Sequence, residues 1–242
     1  MLASLGPIFL VLALSCAIYA LIASFWGAFQ KSTELVLSGQ RASIAVGAFL
    51  TLAILALEQA LLSSNFQYEY VASYTSRALP AFFKFTALWA GQAGSLLFWN
   101  WILAIYIIAV IYTYRKKLSG ALPYVIGILM GVSIFFSAMV IFVAKPFALL
   151  SAAPPDGRGL NPLLQHWAMI IHPPILYLGY VGFAVPFAFA LGALISGKTD
   201  NQWVKAVRRW TIVPWFFLGI GMLLGGKWAY MELGWGGYWA WD

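Results

Sequence analysis

Six stretches of the sequence are apolar over about 20 residues each, the length that an α-helix needs to cross the hydrocarbon core of a bilayer. They cover residues 5–27, 42–62, 93–114, 121–143, 168–195 and 211–230. Hydrophobic residues make up 63% of the chain and charged residues only 9%, whereas charged residues reach about 25% in soluble domains. The sequence therefore predicts an all-α fold: a polytopic integral membrane helical bundle of about six transmembrane helices, with the lipid membrane as its surroundings.

The basic residues lie between these stretches and predict which ends face the cytoplasm. Segments 31–41, 115–117 and 198–209 carry most of the Lys and Arg, and they alternate with segments that carry few. The positive-inside rule assigns the three basic segments to the cytoplasm. The net charge of +7 is thus a topology signal and does not indicate nucleic-acid binding. We expect a multi-pass protein of the bacterial inner (cytoplasmic) membrane whose first span is retained and not cleaved as a leader. Its N-terminus and the residues after Tyr230 would lie on the periplasmic side.

The chain contains few residues of the kind that bind metals or form disulfides. Its single cysteine, Cys16, lies in an apolar stretch, which excludes a disulfide framework, a Cys-x-x-Cys redox pair and a Cys-x-x-Cys-His haem attachment site. Its two histidines, His166 and His172, would lie on different faces of a continuous helix. Because a zinc site needs three or four ligands, neither histidine predicts one.

The two outward segments, 63–92 and 145–167, differ from the basic ones. The first contains PAFFKFTALWAG, beginning at Pro80, which is typical of a helix lying at the membrane interface. The second contains AAPPDGRGLNPLLQH, which is rich in turn residues. Just before the first of them, Glu58 lies near the end of an apolar stretch, where a carboxylate usually snorkels or is paired.

Residues 228–242, WAYMELGWGGYWAWD, interleave large aromatic residues with glycine. Glycine lets a backbone approach a ligand closely, and aromatic faces offer a flat apolar surface. This spacing favours an outward-facing Trp-rich loop that holds a large planar molecule. The alternative is an aromatic belt at the membrane interface, where Trp and Tyr are enriched in any case.

His172, in the stretch IIHPPILYLGY, is the second candidate feature. Pro173 and Pro174 predict that it lies outside helical backbone, because either the fifth span begins at Pro173 or its helix is broken there. Both alternatives place His172 at a helix start near the membrane surface. An ionisable residue there is a functional candidate. The alternative is that His172 is a hydrogen-bonded histidine at the membrane interface. For His166 this alternative is the simpler interpretation. A histidine beside an aromatic surface suits haem, whose iron takes an axial imidazole. The haem propionates could contact a cationic side chain, and the candidates are Lys84, Arg158 and Lys227. The alternative for each of them is that it snorkels to the membrane interface.

The stretch GWGGYWAWD resembles the "WWD" signature of the haem-handling membrane proteins of cytochrome c maturation. The order of YVASYTSRALPAFFKFTALWAGQAGSLLFW, GLNPLLQ and IHPPILYLGYVGFAVPFAFAL is similar to that in the N-terminal portion of the CcmF family, the cytochrome c haem lyases of the system I pathway. In that family the signature continues with Pro-Val-Glu-Asn, and the chains are longer. We therefore expect a fragment or one piece of a split protein, inactive alone, with a transmembrane region at 1–227 and a truncated signature at 228–242.

The resemblance also implies a substrate, partners and site residues. The substrate would be haem b, accepted from the periplasmic chaperone CcmE and positioned for covalent attachment to apocytochrome c, with thiol-handling proteins such as CcmH nearby. His172 would be the axial ligand of the iron, and no residue is predicted as a general base or nucleophile. A structural haem would need ligands beyond this chain. The haem-binding surface would comprise Trp235, Gly236, Gly237, Tyr238, Trp239, Trp241 and Asp242.

Two other functions fit the same motif. A haem transporter or release protein like CcmC or CcsA binds haem at a similar signature, but the long region before the signature favours the lyase. A membrane scaffold without a cofactor would use the Trp cluster only as an interfacial belt. Within the lyases, a subunit devoted to one cytochrome, such as a nitrite reductase, is a further alternative.

Overall fold

A computed structural model describes residues 2–115, 120–197 and 201–232. Over these residues six helices are long and apolar enough to cross a membrane, which confirms the all-α membrane bundle. A π-helix, Met139–Ala144, continues the helix Leu122–Ala138, and Phe183 joins the helices Ala168–Gly182 and Ala184–Ser196 within one span. The α-helices are α1 (Gly6–Phe29), α2 (Thr33–Leu62), α3 (Glu69–Tyr74), α4 (Ala81–Thr86), α5 (Gln92–Tyr114), α6 (Leu122–Ala138), α7 (Ala168–Gly182), α8 (Ala184–Ser196) and α9 (Asn201–Glu232).

Two helices extend beyond the apolar stretches that identified them. α2 begins at Thr33 and not near residue 42, and α9 begins at Asn201 and not near residue 211. The side chain of Ser32 caps α2 by accepting the N–H of Leu35 at 3.4 Å, and Glu34 in the first turn favours the same helix start. Much of the basic segments 31–41 and 198–209 is therefore helical and does not only connect two spans. Hydropathy detects the part of a helix that lies in lipid, and polar turns continue the helix beyond it.

Small side chains bring the first two helices together. α1 packs chiefly on α2 and α6, and its face toward them carries Ala13, Ala17 and Ala20, all fully buried. At Gly39 on α2 an added Cβ would lie 2.8 Å from Oγ of Ser24 on α1. Small residues at such spacing allow close backbone approach between membrane helices, where lipid offers no hydrophobic driving force for association.

The two outward segments meet at one end of the bundle, where they form what we call the loop layer (residues 63–91 and 145–167). Glu69 N–H donates to Ala148 O at 2.9 Å, and Leu150 N–H donates to Gln67 O at 2.9 Å. Further along, Arg77 N–H donates to the Asp156 carboxylate at 2.8 Å. This bond and the one from Gly157 N–H hold the pKa of Asp156 below its usual value. As predicted, a helix, α4, begins directly after Pro80.

Glu58 is buried rather than snorkelling. Its side chain is 7% exposed, and neither carboxylate oxygen has a hydrogen-bond partner among the described residues. Leaving a buried polar group unsatisfied costs about 1–3 kcal/mol. We therefore expect Glu58→Leu to raise the unfolding temperature of the detergent-solubilised protein. A lower unfolding temperature would contradict this and would indicate a partner for the carboxyl group outside the described residues.

Candidate functional site

Glycines on α9 bring its backbone against α7 at the loop-layer end of the bundle. Gly221 and Gly225 are spaced four apart, and a Cβ added to Gly221 would lie 2.8 Å from Cα of Leu176. On the facing helix, a Cβ added to Gly179 would lie 2.5 Å from Cα of Leu218. This is the Gly-x-x-x-Gly mode of membrane-helix packing. It brings the peptide groups of α9 within hydrogen-bonding reach of side chains on α7.

His172 is the side chain that this close approach holds. It is 7% exposed, and its Nδ1 lies 2.8 Å from the carbonyl oxygen of Gly221. Its ring covers Gly225, where a Cβ would lie 2.5 Å from Cε1. Since a carbonyl oxygen only accepts, Nδ1 carries the proton, and the lone pair of the neutral ring is then on Nε2. Metal-binding histidines are commonly oriented in this way, through a backbone carbonyl on the other ring nitrogen.

The backbone around His172 is helical, so the prediction that Pro173 and Pro174 place it outside helical backbone is wrong. α7 begins at Ala168 and continues through both prolines. Pro173 has no N–H to donate to the carbonyl of Met169 four residues earlier. Nε1 of Trp89 donates to that carbonyl instead, at 2.8 Å. An indole from the loop layer thus satisfies the acceptor that proline leaves open.

Trp89→Phe should therefore destabilise the protein by about 1–3 kcal/mol, because the buried Met169 carbonyl loses its donor. A matched control is Trp99→Phe, since Trp99 Nε1 is buried with no hydrogen-bond partner among the described residues. It makes the same change in ring size without breaking a bond. Thermal unfolding of both variants gives the comparison. Equal losses of stability would assign the effect to ring size alone.

Trp228, near the end of α9, lies between the two histidines. The His166 ring stacks on it with centroids 6.4 Å apart and planes at 11°, and the His172 ring meets it edge-on at 5.8 Å. Nδ1 of His166 accepts the N–H of Ala168 at 3.2 Å, and its Nε2 lies 3.6 Å from the carboxylate of Glu232. His166 precedes α7, which begins at Ala168. The two histidines are therefore not on one continuous helix, and the prediction that they lie on different faces of such a helix does not apply.

The cations proposed for propionate binding have different surroundings. Nζ of Lys84 donates to Oγ of Ser64 at 2.7 Å, within the loop layer. Nζ of Lys227 lies 5.8 Å from the ring centroid of Trp167, in cation–π contact and one residue before Trp228. Arg158 is exposed in the loop layer, where its N–H donates to Ala72 O at 2.7 Å. Of the three, Lys227 belongs to the cluster around the histidines.

The described residues thus contain only part of the predicted site. His172 is in the cluster, whereas Trp235, Gly236, Gly237, Tyr238, Trp239, Trp241 and Asp242 lie outside the described residues. Sequence reasoning did not assign Gly221, Gly225 and Trp89 to the site, although the Gly-x-x-x-Gly spacing is visible in the sequence. Within the ranges that the structure describes, no three His, Cys, Asp or Glu side chains cluster as a metal site.

Comparisons with known proteins agree on one family. A family model described as cytochrome C assembly protein matches residues 89–242. The chain is 42% identical to the cytochrome c-type biogenesis protein CcmF of Pseudomonas aeruginosa, over 100% of this chain and 37% of that protein. It is 38% identical to CcmF of Haemophilus influenzae and 39% identical to NrfE of the same organism, each match covering 100% of this chain and 38% of the relative.

A solved structure has the same fold. The cytochrome c haem lyase CcmF superposes on this chain with a TM-score of 0.85 at 30% sequence identity. The match covers 100% of this chain and 38% of that one. This chain therefore spans a little over a third of the length of these relatives.

Proposed function

Because the chain belongs to the cytochrome c assembly protein family, and to CcmF within it, we propose that it is a component of the cytochrome c haem lyase. In this role it accepts haem from a periplasmic chaperone of the CcmE type and positions it for covalent attachment to apocytochrome c. Haem b is the transferred substrate in this proposal.

The observation that carries the proposal is the orientation of His172. Its Nδ1–H is held by the Gly221 carbonyl at 2.8 Å, and its ring lies on Gly225. A histidine held in one tautomer by a backbone carbonyl binds a metal more tightly, since the ring does not have to be ordered on binding. We assign His172 as an axial ligand of the haem iron, through Nε2.

The surroundings of His172 suit a planar substrate with acidic side groups. Trp228 is 8% exposed, and its Nε1 is buried without an acceptor among the described residues. An indole N–H and the Lys227 ammonium are both groups that a propionate carboxylate accepts from. The Trp-rich segment 233–242 follows Glu232, the last residue of α9, directly in the sequence. We propose that it forms the aromatic wall, with Trp235, Trp239 and Trp241 along the macrocycle.

Bound haem supplies the iron and the two vinyl groups to which the cysteines of an apocytochrome attach. The chain supplies position and orientation: His172 fixes the iron, and the aromatic wall fixes the ring plane. Holding reactants in a reactive geometry is a large catalytic factor in itself. We place this site on the periplasmic side of the bacterial inner membrane, where CcmE, CcmH and the apocytochrome meet it.

The test is a haem-transfer assay with the haem-loaded chaperone. The chain would be purified alone and together with a chain that supplies the rest of the CcmF length, with and without a Cys-x-x-Cys-His apocytochrome. Pyridine-haemochrome spectra count the haem that moves. Acid–acetone extraction then separates haem held noncovalently from haem bound through thioether bonds.

Each outcome favours one function. Haem that resists extraction only when apocytochrome is present supports the lyase. Haem that binds and is released without becoming covalently attached supports a transporter or release protein. Absence of haem from both preparations would overturn the proposal and leave the Trp cluster as an interfacial belt. A clear preference for one apocytochrome would indicate a dedicated subunit.

A further inference from the structure

An apolar groove opens between the start of α1 and the π-helix that continues α6. It has a volume of about 230 Å³, and its apolar lining includes Pro7, Leu10, Val11, Val140, Ile141 and Phe147. The ring of Phe147, which lines the groove, lies against Gly6, where a Cβ would be 2.3 Å from the ring. Neighbouring side chains are more than half exposed, at 51% for Val11 and 65% for Phe142. The groove thus faces the bilayer, and an apolar cavity of this kind takes apolar guests rather than water.

A polar cavity adjoins the groove. It has a volume of about 390 Å³, and its polar lining includes Glu69, Ser73, Tyr74, Gln92 and Lys145. The two cavities share Lys145 and Ala148 as walls. Lys145 therefore lies where the apolar cavity meets the polar one, and Glu69 lines the polar cavity.

The junction of the two cavities is at the level of a membrane surface. Gly6 begins α1, Ala144 ends the π-helix and Gln92 begins α5, all at the loop-layer end of their spans. Lys145 follows the π-helix in a left-handed conformation, with φ of 48°, and its N–H donates to Val140 O at 2.9 Å. π-helical turns occur frequently at functional sites. Here the turn directs the chain from the hydrocarbon region into the loop layer.

We propose that the two cavities together bind one phospholipid with a zwitterionic ethanolamine headgroup. One acyl chain occupies the apolar groove, the phosphate pairs with Lys145, and the ammonium pairs with Glu69. Lysine binds phosphate as a point charge, and the carboxylate complements the positive end of the headgroup. An anionic glycerol headgroup has hydroxyls that can donate to a carboxylate, but it has no cationic group to pair with Glu69. The bound lipid joins the start of α1 to the loop layer that carries Trp89.

Native mass spectrometry of the purified protein, supplied with dioleoyl phosphatidylethanolamine and dioleoyl phosphatidylglycerol in equal amounts, tests this proposal. The wild-type protein should retain the ethanolamine lipid in preference. Lys145→Asn should lower its retention about fivefold, the effect of one cation at a membrane surface. Asparagine also tolerates left-handed backbone, so the variant should unfold no earlier than wild type. Glu69→Gln should keep a bound lipid but remove the preference between headgroups.

The control is Lys84→Asn, which removes a lysine of the loop layer that lines neither cavity. It should leave retention and preference unchanged. Equal retention by wild type and Lys145→Asn would overturn the site. A preference that survives Glu69→Gln, or a wild-type protein that retains the glycerol lipid equally well, would overturn the assignment of the headgroup.

Discussion

His172→Ala should abolish haem retention, and Gly225→Ala should lower it about 10–100-fold, the usual effect of disturbing a residue that orients a metal ligand. The second variant leaves the histidine in place. A methyl group at position 225 would lie 2.5 Å from Cε1 of His172. Either the ring rotates away from the Gly221 carbonyl or α9 moves away from α7, and both changes misplace Nε2. Pyridine-haemochrome stoichiometry and haem titration would measure the losses.

Gly219→Ala is the matched control for this prediction. It makes the same substitution in the same helix, at a position where an added Cβ meets nothing within 4 Å. It should retain haem as wild type does. Added imidazole should restore part of the binding to His172→Ala, because the cavity keeps its shape. Wild-type retention by Gly225→Ala would contradict the assignment of His172 as a ligand held in place by α9.

The spans could be predicted from sequence because a bilayer imposes a minimum apolar length, and six stretches meet it. The start of α2 could not, because KSTELVLSGQR contains charges and hydroxyls that hydropathy counts as loop. Its helix depends on the Ser32 cap and on packing of Gly39 against α1. Hydropathy indicates whether a residue lies in lipid or in water, whereas the cap and the helix packing determine whether its backbone is helical.

His172 could be singled out from the sequence as a candidate site residue, because a histidine at membrane depth is costly and uncommon. Its helical backbone could not be predicted, because the donor that satisfies Met169 comes from Trp89, 80 residues away in sequence. The contact of His166 with Trp228 is also tertiary and depends on where α9 ends. Among these contacts at the site, the close approach of α9 to α7 is the one with a signal in the sequence, the four-residue spacing of Gly221 and Gly225.

Substitutions at His166 should weaken haem binding up to about tenfold without changing the ligation of the iron. Its Nδ1 accepts the N–H of Ala168, so the proton is on Nε2, which faces Glu232. Both nitrogens therefore have partners in the protein, and we infer that His166 is a positioning residue that holds Trp228 and the end of α9 beside His172. The absorption and spin-state spectra of bound haem should be the same in His166→Ala and wild type.

Two conservative variants separate the contacts of His166. His166→Asn keeps an acceptor near the Nδ1 position and loses the contact with Glu232, whereas His166→Gln keeps a donor near the Nε2 position. If the contact with Glu232 orders the end of α9, the haem affinity of His166→Asn should be as low as that of His166→Ala. His166→Gln should then recover much of the wild-type affinity. Glu232→Gln combined with His166→Ala should then add little to either single change, because both remove the same contact. A change from low-spin to high-spin haem in His166→Ala would instead identify His166 as an iron ligand.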